Sequence, residues 1–368
     1  MTRTTITSSV QQSAPAFNPC RLRQSLDRFM PGEQTLCSKE LQAYLAFYDL
    51  DRVAALARYS IGTELIGDTQ LVVQHFSRSH SRGTVVVVHG YTDHAGLYHH
   101  LIAHLLEQHW DVLIYDLPGH GLSAGQRFAI DHFSTYARQL STLLRRHESG
   151  LTAPWVGIGQ STGSAILLQA ELGRHLHGLP LRDRVLLSPL IRPRPFNRIE
   201  MSYRWLHWCI KRVRREHGDS SNDAEFVRFL RQIDPLQGHF VDVGWIGAML
   251  SWVAQVEAAP ALDIPALIIQ GTADQTLEWE HNLAVLGELL PHAGVERLTA
   301  ARHHLVNEAE PWRSKVFACI SERLRCRSAP KVVSSVKNGT AHCPTRGDAA
   351  LSYPIEACPP RYARPKRG

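Results

Sequence analysis

Apolar positions along this chain gather into short unbroken runs. Residues 84–90 read TVVVVHG, 111–116 DVLIYD, 155–160 WVGIGQ, 184–189 RVLLSP and 266–271 ALIIQG. Runs of this length, rich in Val, Ile and Leu and bounded by Gly, Pro and Asp, suit strands covered on both faces. Stretches of helical length and period separate them, so the pattern predicts a mostly parallel sheet wound with helices on both sides, an α/β doubly wound core. Segment 62–77 alternates more and predicts an antiparallel edge. Residues 190–254 break the rhythm: they hold four of the eight tryptophans (Trp205, Trp208, Trp245, Trp252) and no strand run. They are read as a helical cap inserted over the sheet. Residues 1–36 and 327–368 have loop-like composition and are read as disordered extensions, leaving a core of 37–189 and 255–326.

Composition narrows the class. With 368 residues, 44% of them hydrophobic and 20% charged, and no apolar run near 18 residues, the chain reads as a soluble globular protein with a core large enough to need no staples. The net charge of +6 is misleading until it is located. Residues 327–368 carry eight Lys/Arg against two Asp/Glu, which leaves the first 326 residues with 32 of each sign. An electroneutral body has no general drive toward a polyanion, so nucleic acid is not an expected partner. The seven cysteines are widely spaced and odd in number, without C-x-x-C, and read as reduced thiols. The N-terminus lacks the apolar core of a secretory signal, and both features suit the cytoplasm.

The sharpest local signal is Gly159-Gln160-Ser161-Thr162-Gly163, a G-x-S-x-G between the strand-like 155–160 and the helix-like SAILLQAEL. In that setting a tight turn lifts Ser161 above the sheet at a helix N-terminus, and Gly159 and Gly163 remove side chains that would collide. A serine needs a base, and the base needs an orienting carboxylate. Asp274 follows the 266–271 run by three residues, and the adjacent His303 and His304 follow the last strand-like run, GVERLTA. The order Ser, Asp, His is that of α/β-hydrolases.

At this point the chain resembles a known group, the monoacylglycerol lipase and lysophospholipase branch of the α/β-hydrolases, often labelled by its serine aminopeptidase-like domain. Three further stretches carry the likeness. His89-Gly90-Tyr91-Thr92-Asp93-His94 with Tyr98 is similar to the family's oxyanion loop. Asp116 with 118–127, PGHGLSAGQR, resembles its D-x-x-G-H-G-x-S-x-G-x-R segment. Residues 300–308, AARHHLVNE, resemble its histidine-bearing stretch. The resemblance spans about 60–325. It implies an α/β-hydrolase fold with Ser161 as nucleophile, Asp274 as acid, His303 as base, and the backbone N–H groups of Tyr91 and Thr162 as oxyanion donors. His89, Gly90, Gly159 and Gly163 would shape the site. Gln160 and Thr162 stand where the family has His and Met, and Ala300 where it has Gly.

The 21 histidines raise a metal alternative, but only His100 and His104 align on one helical face, and no H-E-x-x-H is present. No metal and no cofactor are expected. On a helical wheel of 199–215, Met201, Trp205, Leu206, Cys209, Ile210 and Val213 fall on one half and Arg204, Lys211, Arg214 and Arg215 on the other, with Arg212 intruding. Such a helix suits covering an acyl pocket and touching an anionic membrane surface, as does the basic tail. The reading is a serine hydrolase of acyl-lipid esters, monoacylglycerol or lysophospholipid. A peptidase or amidase, an acyltransferase and a non-catalytic binding protein are its alternatives. Head group, chain length and oligomeric state are left open.

Overall fold

The structure, a computed structural model, describes residues 17–215 and 218–328. Its centre is an eight-stranded sheet built from β1 (Arg58–Ile66), β2 (Thr69–Ser77), β3 (Thr84–Val88), β4 (Asp111–Tyr115), β5 (Trp155–Gln160), β6 (Leu181–Leu187), β9 (Ala266–Gly271) and β10 (Gly294–Leu298), in the order β1-β2-β4-β3-β5-β6-β9-β10. From β4 to β10 every pairing is parallel, and β1 and β2 form the expected antiparallel edge. All five residues of β3 are buried. Val86 and Val88 join the apolar cluster on one face, Val85 and Val87 that on the other, as the two-residue period of a strand requires. The unbroken apolar runs are therefore strands with two cores to fill.

Helices cover both faces. The first cluster takes in α5 (Phe133–Arg146), α6 (Thr162–Leu172) and α10 (Trp279–Leu289); the second takes in α2 (Lys39–Phe47), α3 (Leu50–Ala54), α4 (His99–Glu107) and α11 (Trp312–Ser328). Strand order reverses direction around β3, with β4 on one side and β5 on the other. The crevice beyond the C-terminal ends of β3 and β5 is thus the topological switch point, where open α/β sheets bind ligands.

Two expectations are corrected. Residues 17–36 are part of the fold. Helix α1 (Pro19–Ser25) starts on Asn18, whose side chain accepts from Arg21 N–H at 3.0 Å, and Phe17, Leu22 and Phe29 are buried. Residues 27–35 then run beside β1: Thr63 N–H donates to Asp27 O (2.8 Å), Phe29 N–H to Thr63 O (2.9 Å) and Thr35 N–H to Tyr59 O (2.9 Å). Gly62 permits the approach, since a Cβ there would meet the Phe29 backbone. Three apolar residues spread over 13 positions make no period, so the segment reads as loop. The expected disorder of 1–16 and 329–368 and the membrane role of the tail fall outside the described residues.

The cap is not wholly helical. Between β6 and β9 come α7 (Phe196–Leu206), α8 (Ala224–Gln232) and α9 (Val243–Glu257), with a two-stranded sheet of β7 (Arg212–Arg214) and β8 (Phe240–Asp242). The helix expected over 199–215 ends at Leu206, because the chain turns through His207–Ile210 and then alternates Arg-Val-Arg with a strand's period. The expected apolar wheel face is split: Met201 and Trp205 are exposed, while Leu206, Ile210 and Val213 line a hollow beneath α7.

Candidate active site

Ser161 sits between β5 and α6 with φ +54 and ψ −113, a conformation that costs a non-glycine residue about 1–3 kcal/mol. Its surroundings enforce it. Ser161 N–H donates to Leu187 O (2.8 Å), and Ser161 O accepts from Ser164 N–H (3.0 Å) and Leu190 N–H (3.2 Å). A Cβ on Gly159 would strike Ser164 N and one on Gly163 would strike Val88 O, so the two glycines let α6 start directly against β5 and β3. Thr162 opens α6, and its N–H has no intrahelical acceptor.

Asp274 lies fully buried in the loop after β9. Its Oδ1 accepts from the N–H groups of Thr276 (2.8 Å) and Leu277 (3.1 Å), and its Oδ2 from Gln270 Nε2 (3.2 Å) and His303 Nδ1 (2.8 Å). Burial pushes its pKa up, but His303 and these donors outweigh that and hold it below the ordinary carboxylate value. An ionised carboxylate only accepts, so His303 carries its proton on Nδ1 and leaves Nε2 basic. His303 itself hangs on the loop after β10. Ala300 turns that loop at φ +64, which is why the related position is commonly glycine.

The two adjacent histidines separate cleanly. His304 Nε2 donates to Asp93 Oδ2 at 3.1 Å, and that carboxylate also accepts from Tyr98 OH (3.1 Å) and Gly90 N–H (3.3 Å). Burial pushes Asp93 upward, but His304, His89 and Arg215 hold it well below its usual range. His89 bridges two loops: its Nδ1 donates to Gly90 O (2.8 Å) while its Nε2 accepts from Leu117 N–H (2.9 Å). Burial lowers its pKa, in keeping with a neutral ring. It ties the 89–94 loop to the Asp116 segment, where Asp116 accepts from Ala95 and Leu122 N–H, each at 2.7 Å. Tyr91 stacks on Trp245 of the cap at 3.8 Å between ring centres.

Ser161, His303, Tyr91 and Thr162 line one cavity of about 360 Å³, with Leu190, Ile246 and Met249 among its apolar walls. A second hollow of about 310 Å³ beneath α7 shares Ile199, Val213 and Ile246 with it. The histidines weighed as metal ligands are otherwise engaged: His104 bonds Ser321 Oγ (2.8 Å) and stacks on Phe317, and His100 packs on His99.

The sequence profile of a family described as serine aminopeptidase, S33, matches residues 79–310. The chain belongs to that family. This S33 protein is 30% identical over 206 residues to the monoglyceride lipase of Rattus norvegicus, a match covering 53% of the chain and 66% of the rat protein, just under two thirds of its length. The human monoglyceride lipase is 29% identical over 208 residues. In three dimensions the S33 protein shares its fold with the Paleococcus ferrophilus monoacylglycerol lipase (TM-score 0.60, 21% identity, 69% of this chain and 98% of that one). The soluble variant of Saccharomyces cerevisiae monoglyceride lipase, solved with a substrate analog, is likewise similar (TM-score 0.63, 16% identity, 71% and 93%). The α/β-hydrolase fold is thereby shown.

One role in this S33 protein carries no sequence signal. Gln160, on the cavity wall beside Ser161, donates from Nε2 to His303 O at 2.9 Å and fixes the histidine loop to the elbow. No spacing rule signals a contact across 143 positions. Glu308 acts similarly, accepting from Arg302 N–H (2.5 Å) and Asn222 N–H (2.7 Å) and so joining that loop to the cap.

Proposed function

We propose that the protein hydrolyses carboxylic esters of acyl lipids, monoacylglycerols or lysophospholipids, through an acyl-enzyme. The observation that carries this reading is the meeting of a strained Ser161 and a His303–Asp274 pair at 2.8 Å on the wall of one largely apolar cavity. Ser161 Oγ attacks the ester carbonyl as His303 Nε2 takes its proton, while Asp274 holds the imidazole and stabilises its charge. The N–H groups of Tyr91 and Thr162 receive the negative oxygen. His303 passes the proton to the departing alcohol, and water repeats the cycle to release the fatty acid. The cavity at Ser161 and the adjacent hollow beneath α7, which share the apolar walls Ile199, Val213 and Ile246, suit an acyl chain.

A fluorophosphonate probe should label wild-type protein but not Ser161→Ala, and a panel of acyl esters against aminoacyl amides should show turnover of the esters. An unlabelled wild type, or amides cleaved in preference, would overturn the assignment. The exposed Met201, Trp205, Leu206 and Trp208, beside Arg204, Arg212 and Arg214, further support contact of the cap with an anionic membrane surface.

A further inference from the structure

An acyl ester has two ends, and the cavity wall near the 89–94 loop bears on the one that leaves. Three arginines reach the cavity: Arg194, Arg215 and Arg231. Two of them face surface acids. Arg231 bonds Asp219 at 2.8 Å, and Arg194 lies 3.8 Å from Glu280. Arg215 differs. It extends the β7 ladder, its N–H donating to His239 O at 2.9 Å, and its guanidinium donates to a neutral acceptor, Gln237 Oε1, at 2.9 Å. Among the described residues no ion pair joins it to a carboxylate. It lines the cavity together with Ser161 and with Tyr91 and Asp93 of the 89–94 loop, and its charge helps to hold the Asp93 carboxyl low.

The acidic side of the wall is already spent. Among the described lining residues Asp93 is the carboxylate, and it serves His304, Tyr98 and Gly90. An ammonium group entering here would meet a guanidinium that forms no ion pair among the described residues and a carboxylate whose hydrogen bonds are already made. A part-buried guanidinium whose side-chain hydrogen bond among the described residues goes to an amide has further N–H donors to offer, and its planar fork matches phosphate and carboxylate oxygens alike.

We propose that Arg215 receives the head group, and that the preferred substrate is an acyl ester whose alcohol portion is anionic. This rests on the acyl-ester reading above and deepens it. Phosphate and carboxylate share the recognising chemistry, so the test carries an arm for each. Four esters of one medium-length fatty acid are compared below their aggregation limit: with glycerol, with glycerol phosphate, with a hydroxy acid and with choline. For the wild type, kcat/KM on the better of the two anionic esters should exceed that on the glycerol ester by about tenfold, with the choline ester poorest. Arg215→Gln should bring the anionic-to-neutral ratio to within about twofold, and Arg215→Lys should restore part of it.

A wild type that favours the glycerol or choline ester, or an Arg215→Gln protein that keeps the wild-type ratio, would overturn the proposal. If the variants fail to fold, inhibition of the wild type decides. Glycerol phosphate or the free hydroxy acid should compete with substrate, increasingly at low salt, where glycerol does not; equal inhibition by charged and neutral compounds would overturn it. Equal turnover of all four esters removes the head-group assignment alone. Absence of turnover with no labelling of Ser161 removes the acyl-ester reading and this proposal with it.

Discussion

His303 and His304 are neighbours in the chain with separate carboxylates, Asp274 and Asp93, and their variants should fail in different ways. His303→Ala should lose activity by roughly several thousand-fold, and adding Ser161→Ala should cost little more, because members of a triad act as a unit. His304→Ala leaves Asp93 without one donor in a buried site. It should lower the melting temperature by several degrees, about 1–3 kcal/mol, while retaining most of kcat on a short soluble ester. Measuring kcat and Tm on the two single variants separates the roles, and the reverse pattern would reassign the base. At this scale the sequence was informative wherever chemistry dictates order: serine, then aspartate, then histidine at the ends of apolar runs. It was silent about Gln160, because a side chain that supports a loop from another element leaves no mark at fixed spacing.

Strands β3, β5, β6 and β9 were legible because each fills two cores and so cannot alternate. The cap was less so. A helical wheel assumes an unbroken helix, and after Leu206 the same apolar residues pass through a turn and into β7, which pairs with β8 some 28 residues later. The outcome puts Trp205 and Trp208, 69% and 79% exposed, on the outside of the cap, where Trp208 Nε1 donates back to Trp205 O at 3.0 Å. An exposed pair of indoles beside arginines predicts a membrane-facing element. Replacing both tryptophans with serine should reduce sedimentation with anionic vesicles by about tenfold or more while leaving turnover of a short monomeric ester close to that of the wild type. Retained vesicle binding would assign the patch to something other than lipid.

Across the whole molecule, stability should depend on keeping histidines neutral. Burial is the main force holding His75 and His99 at about 4 and His100 at about 2, and it also lowers His89 and His120. Unfolded, each would take up a proton below its ordinary value of 6.5; folded, His75 and His99 refuse it until about pH 4. Their contribution, on the order of a few kcal/mol each, is thus complete above pH 6.5 and is lost as pH falls toward 4. His94 opposes this trend. Burial lowers it, but Asp234 at 3.0 Å raises it above the ordinary value, so its contribution is present below pH 6.5 and lost as pH rises through the raised value. The depressed group is the larger, and the urea midpoint should fall by about 1 M between pH 7.5 and 5; an unchanged midpoint would count against these buried neutral rings. His75 adds a local effect, since its Nδ1 accepts from Gly32 N–H at 3.2 Å and a protonated ring could no longer do so. That bond lies in the segment running beside β1, and the segment has a practical meaning of its own. Strand β1 is nine residues long and ends the sheet, so the N–H and C=O groups that residues 27–35 engage are those through which sheets of neighbouring molecules would join. A recombinant fragment begun at residue 37, where the composition first turns globular, would be produced with an open seam and would come out of the cell as inclusion bodies.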